Sequence, residues 1–174
     1  MSADNQQERF QNIKFDENFK WFLAGFTDGE GSFCLSLKKR PGNEFGYGIY
    51  PAFYLYQHER NKWILELVQK FFNKGSIHRK TSPYSVFTYQ IAGMIPVNET
   101  VIPFFRKYKL MGKKIVFELF CEGVERLLAK EHHTRKGFEK IIDICYQMNV
   151  MGKGKKWDKN FVLGKSSETT RQTL

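Results

Sequence analysis

The stretch Leu23-Ala24-Gly25-Phe26-Thr27-Asp28-Gly29-Glu30-Gly31 constrains this chain most. An apolar, helix-spaced run ends there on two acidic residues set among glycines. An alternating run, Ser32-Phe33-Cys34-Leu35-Ser36-Leu37-Lys38-Lys39-Arg40, follows with no linker between. The hydrophobic period changes from that of a helix to that of a strand within a residue or two. Any fold built on this sequence must therefore set a carboxylate, Glu30, where a helix hands over to a strand. The strand must then lead into a basic cluster.

The spacing predicts a helix from Asp16, its N-cap, to about Asp28. Phe19, Phe22, Leu23 and Phe26 fall on one face of it, and Trp21, Ala24, Gly25 and Asp28 on the opposite face. An ordinary surface helix has one apolar stripe; this one is expected to be buried on two sides. Gly29 and Gly31 are expected to end it through the left-handed conformation that glycine takes readily. Strands are predicted over Ser32–Arg40 and Tyr47–Gln57 around a Pro41-Gly42-Asn43 turn, with Pro51 marking an edge or a bulge. Trp63, Ile64, Leu67, Val68 and Phe71 give helical spacing to Arg60–Asn73. A second hairpin follows, Ser76–Lys80 and Ser85–Ala92 about Thr81-Ser82-Pro83-Tyr84. Helices are predicted over Val97–Phe105, Lys113–Glu131 and Gly137–Val150, with Ile115, Leu119, Phe120, Val124, Leu127 and Leu128 as core of the long one. The class is α+β, in the order αββαββα with C-terminal helices: four antiparallel strands, helices on one face, and a polar face left over.

A chain of 174 residues with 41% hydrophobic and 16% aromatic content can build one real core. One domain is expected over 1–174, with an N-terminal arm at 1–14 and a basic tail at 151–174. The 28 Lys and Arg against 18 Asp and Glu give a net charge of +10 and a pI of about 9.5, which favours a polyanionic partner. No apolar run approaches the ~18 residues of a membrane span, so no membrane role is expected. The N-terminus has neither a secretory nor an Arg-rich transit pattern. Cys34, Cys121 and Cys145 form no CxxC pair and no zinc spacing, and are expected as reduced structural thiols. His132-His133 lacks a spaced Cys or acidic partner for zinc. His58 and His78 sit in no HNH-like arrangement, and nothing supports a Cys–His nucleophile.

The motif and the element order resemble the LAGLIDADG homing endonucleases, in their single-motif, homodimeric branch. The likeness spans about Asp16 to the C-terminus. It is strengthened by Tyr56-Gln57-His58 ahead of Trp63-Ile64-Leu65, by Lys109-Leu110-Met111-Gly112-Lys113-Lys114 and by the tail Ser167-Glu168-Thr169-Thr170-Arg171. The resemblance implies a saddle of antiparallel strands lying in the DNA major groove, with two motif helices forming a dimer interface through Trp21, Ala24, Gly25 and Asp28. It places a metal-binding acid at Glu30, where aspartate is more usual, and lends the Gly29 carbonyl to the same ion. Glu30 near a helix C-terminus faces an unfavourable dipole. Two such carboxylates meeting at a two-fold axis require divalent cations, for which Mg²⁺, a hard ion taking oxygen ligands, is suited. Gln57 matches a position that orders solvent at the scissile phosphate. Lys109 and Lys113 lie in the segment of the catalytic lysine, and the likeness does not choose between them. A basic family position falls here on Asn61, with Arg60 as its possible substitute. Asp28 is expected to be a hydrogen-bonding residue rather than a ligand.

Readout is expected from one face of the strands: Ser32, Cys34, Ser36, Lys38 and Arg40 on the first, Tyr50, Tyr54 and Tyr56 on the second, and His78, Lys80, Thr88 and Gln90 on the second hairpin. Two-stranded ribbons fit the major groove, where Arg and Lys read guanine and Gln reads adenine. Lys153, Lys155, Lys156, Lys159 and Lys165 are expected on phosphates, which position a protein without specifying sequence. The expectation is a homodimeric, Mg²⁺-dependent endonuclease that hydrolyses double-stranded DNA at a long pseudo-palindromic site. By resemblance it serves intron mobility and is encoded in an organelle, chloroplast or mitochondrion, or in a microbe. An RNA-binding splicing maturase on the same fold and a non-catalytic DNA-binding regulator are the alternatives.

Overall fold

The structure, a computed structural model, describes residues 14–80, 85–148 and 158–164. Helix α1 spans Glu17–Glu30 and is capped by Asp16, whose Oδ1 accepts the Phe19 N–H at 3.0 Å. Strands β1 (Gly31–Lys39) and β2 (Tyr47–His58) follow. A 3₁₀ turn, Glu59–Asn61, leads into α2 (Lys62–Phe72). Strands β3 (Ser76–Arg79) and β4 (Val86–Ala92) complete one antiparallel sheet in the order β1-β2-β4-β3. An irregular helix, α3, joins Met94–Pro96, a π-helical turn at Val97–Val101 and Ile102–Lys107. Then come α4 (Lys114–Leu128), α5 (Arg135–Gln147) and a short α6 (Lys159–Val162). The αββαββ order with C-terminal helices is thus as predicted. The predicted turn at 81–84, the end of the third C-terminal helix, Lys153, Lys155, Lys156 and Lys165 lie outside the described residues.

Among the described residues, the helices cover one side of the sheet only. Phe33, Leu35, Phe53, Leu55, Tyr89 and Ile91 point into that side and are buried. Phe33 is the centre of an aromatic cluster, with ring centroids 5.1–5.5 Å from Phe53, Phe105, Phe117 and Phe120. Burying one such ring contributes roughly 1.5–3 kcal/mol, so this cluster fixes which face of β1 looks inward. Helix α4 comes so close to β1 that a Cβ on Gly123 would lie 2.3 Å from Leu35 Cδ1.

Several expectations are corrected. Ala24 is buried in the chain's own core while Phe22 is exposed, so these two residues exchange places on α1. Ile115 is also exposed, and Phe117 and Cys121 take the core positions of α4 instead. Pro51 marks neither an outer strand nor a bulge: β2 is interior and its register with β1 is unbroken. The proline is tolerated because the β2–β4 ladder stops at Ala52 opposite Ala92. The Pro51 carbonyl still accepts the Gly93 N–H at 2.9 Å, and no strand needs the missing donor.

The helix–strand junction is the tightest point. Glycine does not act there through a left-handed conformation. Gly29 lies inside α1, and Gly31 is extended, at φ −90° and ψ 160°, while its N–H donates to the Thr27 carbonyl. Gly31 is required for space: a Cβ would meet Thr27 Cγ2 at 2.5 Å and the Thr27 carbonyl oxygen at 2.6 Å. A second tie starts one turn earlier. The Asp28 carboxylate accepts the backbone N–H groups of Met111 (2.8 Å), Gly112 (3.2 Å) and Lys113 (2.9 Å), which locks the α3–α4 turn onto the end of α1. Burial raises the Asp28 pKa, but these three donors and the Lys113 charge outweigh it and leave the group below its usual value.

Gly31→Ala should cost about 1–3 kcal/mol, since the clash is with backbone that cannot swing away; urea denaturation will show it as a lower midpoint with an unchanged slope. Asp28 has a lowered folded pKa, so its contribution is complete above the unfolded value, about 3.9. It is lost as pH falls through the lower folded value. Asp28→Asn should therefore reduce stability at pH 7 by about 1–2 kcal/mol, with the difference from the parent chain shrinking below about pH 4; thermal melts across pH 2–7 measure it.

Candidate nucleic-acid interface and acidic junction

Alternation puts every second residue of β1 to β4 on the side away from the helices, and the register aligns them into rows. Ser32 stands opposite Tyr54, Tyr54 opposite Gln90, and Gln90 opposite Ser76. Tyr56, Thr88 and His78 form the next row towards one end. Cys34 with Ala52, Ser36 with Tyr50, and Lys38 with Gly48 continue towards the other, where Arg40 follows. Beyond His78, the Lys80 N–H donates to the Val86 carbonyl at 2.8 Å and extends the ladder. The strand residues expected to read a partner thus share one open face, which is half-buried along its middle and exposed at Lys38, Arg40, His78 and Lys80.

This face is internally bonded. Arg40 Nη1 donates to the Tyr50 hydroxyl at 2.9 Å, and Lys38 Nζ lies 5.2 Å from the centroid of the same ring. Gln90 Nε2 donates to the Tyr54 hydroxyl at 3.3 Å. Lys80 Nζ lies 5.7 Å from the Tyr56 centroid, and the Tyr54 and Tyr56 rings stack at 6.1 Å. Ser76 Oγ and His78 Nε2 are 2.7 Å apart, and Cys34 Sγ and Ser36 Oγ 3.1 Å. Burial, with Cys34 beside it, pushes the Tyr54 phenol up, and burial with Tyr54 and Cys34 does the same for Tyr56. Both hydroxyls therefore keep their protons at neutral pH and can donate as well as accept.

The acidic junction lies at one end of the sheet. Glu30 is the last residue of α1 and is exposed, and among the described residues it has no hydrogen-bond or ion-pair partner. The register sets Gly31 opposite Leu55, so Gln57 lies two residues further along β2 at the Glu30 end. Gln57 Oε1 accepts from Asn61 Nδ2 at 3.3 Å. Arg60 lies in the same turn with its side chain exposed, its N–H donating to His58 Nδ1 at 3.3 Å.

The two candidate lysines separate clearly. Lys113 Nζ donates to the Asp28 carbonyl and lies 3.3 Å from the Gly29 carbonyl. It caps the end of the motif helix, where a cation is favoured. Lys109 instead borders a groove between α3 and α4 with Arg106, Lys114 and Glu118. Lys159 is paired with Asp143 at 2.8 Å in the brace formed by α6, where Val162 and Leu163 pack on Phe138 and Ile142. Of the face of α1 expected to pair with a second chain, Trp21 and Gly25 are exposed. Asp28 is engaged within its own chain, and Ala24 is buried.

Two partners escaped the sequence analysis. Asn61, noted only as a departure from a basic position, holds the Gln57 amide. Ser76 joins the open-face rows; the period-two series Ser76, His78, Lys80 carries that signal. Gly48 is a third case, since a Cβ there would lie 2.8 Å from Tyr50 Cε2 and OH. The bare glycine is the slot in which the Tyr50 ring rests.

Comparison with known proteins agrees with this arrangement. The LAGLIDADG endonuclease family profile matches residues 23–124, from the motif helix to the middle of α4. The "probable intron-encoded endonuclease 2" of Neurospora crassa is 28% identical over 129 residues, which are 74% of this chain and 28% of that one. The DNA endonuclease I-CeuI of Chlamydomonas moewusii is 31% identical over 100 residues, 58% of this chain and 46% of that one. The chain thus spans less than half the length of these two curated relatives. The archaeal intron-encoded homing endonuclease I-Vdi141I, solved in complex with DNA, superposes with a TM-score of 0.78 at 27% identity, covering 86% of this chain and 96% of that one. With the profile covering more than half of its residues and the same fold around the junction, the chain belongs to the LAGLIDADG endonuclease family.

Proposed function

We propose that this chain is a site-specific, divalent-metal-dependent endonuclease that cuts double-stranded DNA as a homodimer. One observation carries the reading. An exposed carboxylate, Glu30, stands at the end of a sheet whose open face gathers Arg, Lys, Gln, His and Tyr side chains into rows. Such a ribbon face matches the major groove in width and in hydrogen-bonding character. The net charge of +10 supplies the long-range attraction to phosphates. The intron-encoded relatives support a role in intron mobility, and with it a genome of organellar or microbial type.

The donor set at the junction fits a hard cation. Glu30 and the Gly29 carbonyl are oxygen donors. Among the described residues no group of three or more His, Cys, Asp or Glu forms a closed cage. An open set of few protein oxygens completed by phosphate is the habit of Mg²⁺. When bound, such an ion lowers the pKa of a water nucleophile and stabilises the leaving oxygen. Glu30 holds negative charge at the junction, and Gly29 adds a carbonyl lone pair that the Lys113 ammonium leaves open. Lys113, anchored on the motif helix, offers positive charge to the scissile phosphate. The Gln57 amide, steadied by Asn61, orders solvent, and Arg60 beside it contacts the backbone.

Each chain supplies one acidic junction, and a duplex needs two cuts. A two-fold pair of chains gives two junctions and two half-sites, hence a pseudo-palindromic target. The exposed side of α1 supports this pairing: Trp21 is 54% and Phe22 48% exposed, and Gly25 lies bare beside them. Met111, 90% exposed on the turn bound by Asp28, borders the same end.

Glu30→Gln should lower cleavage of a selected duplex by more than about 100-fold while the gel-shift affinity of that duplex is kept; undiminished cutting would refute the assigned role. A Cβ at Gly25 meets nothing within 4 Å in the single chain. Gly25→Leu should therefore leave the fold of the single chain intact, read as an unchanged far-ultraviolet circular dichroism spectrum, yet move the sedimentation profile towards monomer and abolish double-strand cutting. A variant that stays dimeric would count against this helix face as the interface.

A further inference from the structure

Three tyrosines run along the open face of β2, and the charged or amide side chains around them lean on them. Tyr50 accepts a hydrogen bond from Arg40 at 2.9 Å and lies beneath Lys38 at 5.2 Å. Tyr54 accepts from Gln90 at 3.3 Å, and Tyr56 carries Lys80 at 5.7 Å. The four leaning groups come from β1, from β4 and from the end of β3, so the tyrosines of the central strand are what they have in common.

The chemistry of these pairs leaves the outer groups free to read bases. A guanidinium has five N–H donors, and Tyr50 uses one of them. The remaining fork can still address guanine O6 and N7 in two parallel bonds. Gln90 gives one amide hydrogen to Tyr54 and keeps its other hydrogen and its carbonyl oxygen, the pair that matches adenine N7 and N6. A long side chain held before binding loses less freedom on binding. The Tyr50 ring itself is fixed, because it lies against Gly48, where a Cβ would be 2.8 Å from the ring and hydroxyl.

We infer that Tyr50 and Tyr54 are positioning residues for base readout, Tyr50 orienting Arg40 towards a guanine and Tyr54 orienting Gln90 towards an adenine. The inference rests on the proposed DNA-reading function and adds the division of labour on its face. It also separates the two bases in space. Gln90 lies in the row that contains Ser32, beside the acidic junction. Arg40 lies past the end of β1, eight residues beyond Ser32, and so about 26 Å further along at roughly 3.3 Å per residue. That distance is on the order of eight base-pair steps of 3.4 Å. The adenine belongs to the inner part of each half-site and the guanine to its outer end.

The test is a selection of cleaved or bound duplexes from a randomised library, repeated for variants and read as base preference at each position. The parent chain should prefer guanine near the outer end of each half-site, and Arg40→Ala should flatten that position. Tyr50→Phe keeps the ring under Lys38 and removes only the hydroxyl. It should weaken the same preference by about three- to tenfold, the worth of one orienting hydrogen bond, and leave every other position as it was. In the Arg40→Ala background it should change nothing further, the mark of two residues acting as one unit. Gly48→Ala, which displaces the ring without removing the hydroxyl, should weaken the same position. Tyr54→Phe and Gln90→Ala should behave alike at an inner adenine. The inference is overturned if Tyr50→Phe leaves the profile intact, alters a different position, depresses all positions equally, or adds its full effect on top of Arg40→Ala. Enrichment of no duplex by the parent chain would overturn the DNA-reading function as well.

Discussion

The fold and the site both hang on the contact between Thr27 and Gly31. Their separation of one helical turn lets the first strand residue bond back to the last turn of α1, so helix and strand share a single point of attachment. That contact has no room for a Cβ. It sets the direction in which β1 leaves the helix, and with it the parity of the strand. Phe33 must then look inward, where four rings receive it, and Ser32 must look outward. A shift of one residue would turn every open-face side chain into the core, which side-chain period two makes an all-or-none choice. Glu30 owes its place to the same contact, being the residue squeezed between the end of the helix and the fixed glycine.

From that point the antiparallel register carries the information across the sheet. Each strand repeats the parity of its neighbour, so residues far apart in sequence, such as Ser32, Tyr54, Gln90 and Ser76, form a row without any contact designed between their ends. Interior aromatic packing thereby organises an exterior polar surface. The two faces are coupled in stability as well: loosening the Phe33 cluster would disturb the spacing of the open rows.

Much of this was legible in the sequence because it depends on periodicity. The strand alternation identified both faces correctly, since short polar or aromatic residues on one side and large apolar ones on the other differ in kind. The helices were harder. On α1 the large apolar residues outnumber what one core can take, so composition could not say that Ala24 goes in and Phe22 stays out; the close seat of α1 on the sheet decides that. Ile115 fits the apolar stripe of α4 by spacing, yet it lies in the first turn, before the helix reaches the sheet, and stays exposed. Gly31 is expected from sequence to act through its backbone conformation, whereas its role is steric, a distinction that only a neighbouring atom can reveal. Pro51 misled for a similar reason: its tolerance depends on where β4 ends, a fact of pairing rather than of local sequence.

The two candidate lysines show how three-dimensional placement separates residues that spacing leaves alike. Lys109 and Lys113 are one helical turn apart in number, and each lies among basic residues. What separates them is Asp28. Its carboxylate gathers the amides of Met111, Gly112 and Lys113, and this folds the turn back against the end of α1. The Lys113 side chain is thereby carried to the Asp28 and Gly29 carbonyls, and Lys109 is left on the far side of the turn. The carboxylate committed to backbone amides thus places the Lys113 cation beside the acid proposed to bind metal. The order Asp-Gly-Glu divides the work between two carboxylates: the buried part of the first fixes the geometry, and the exposed second remains free for chemistry.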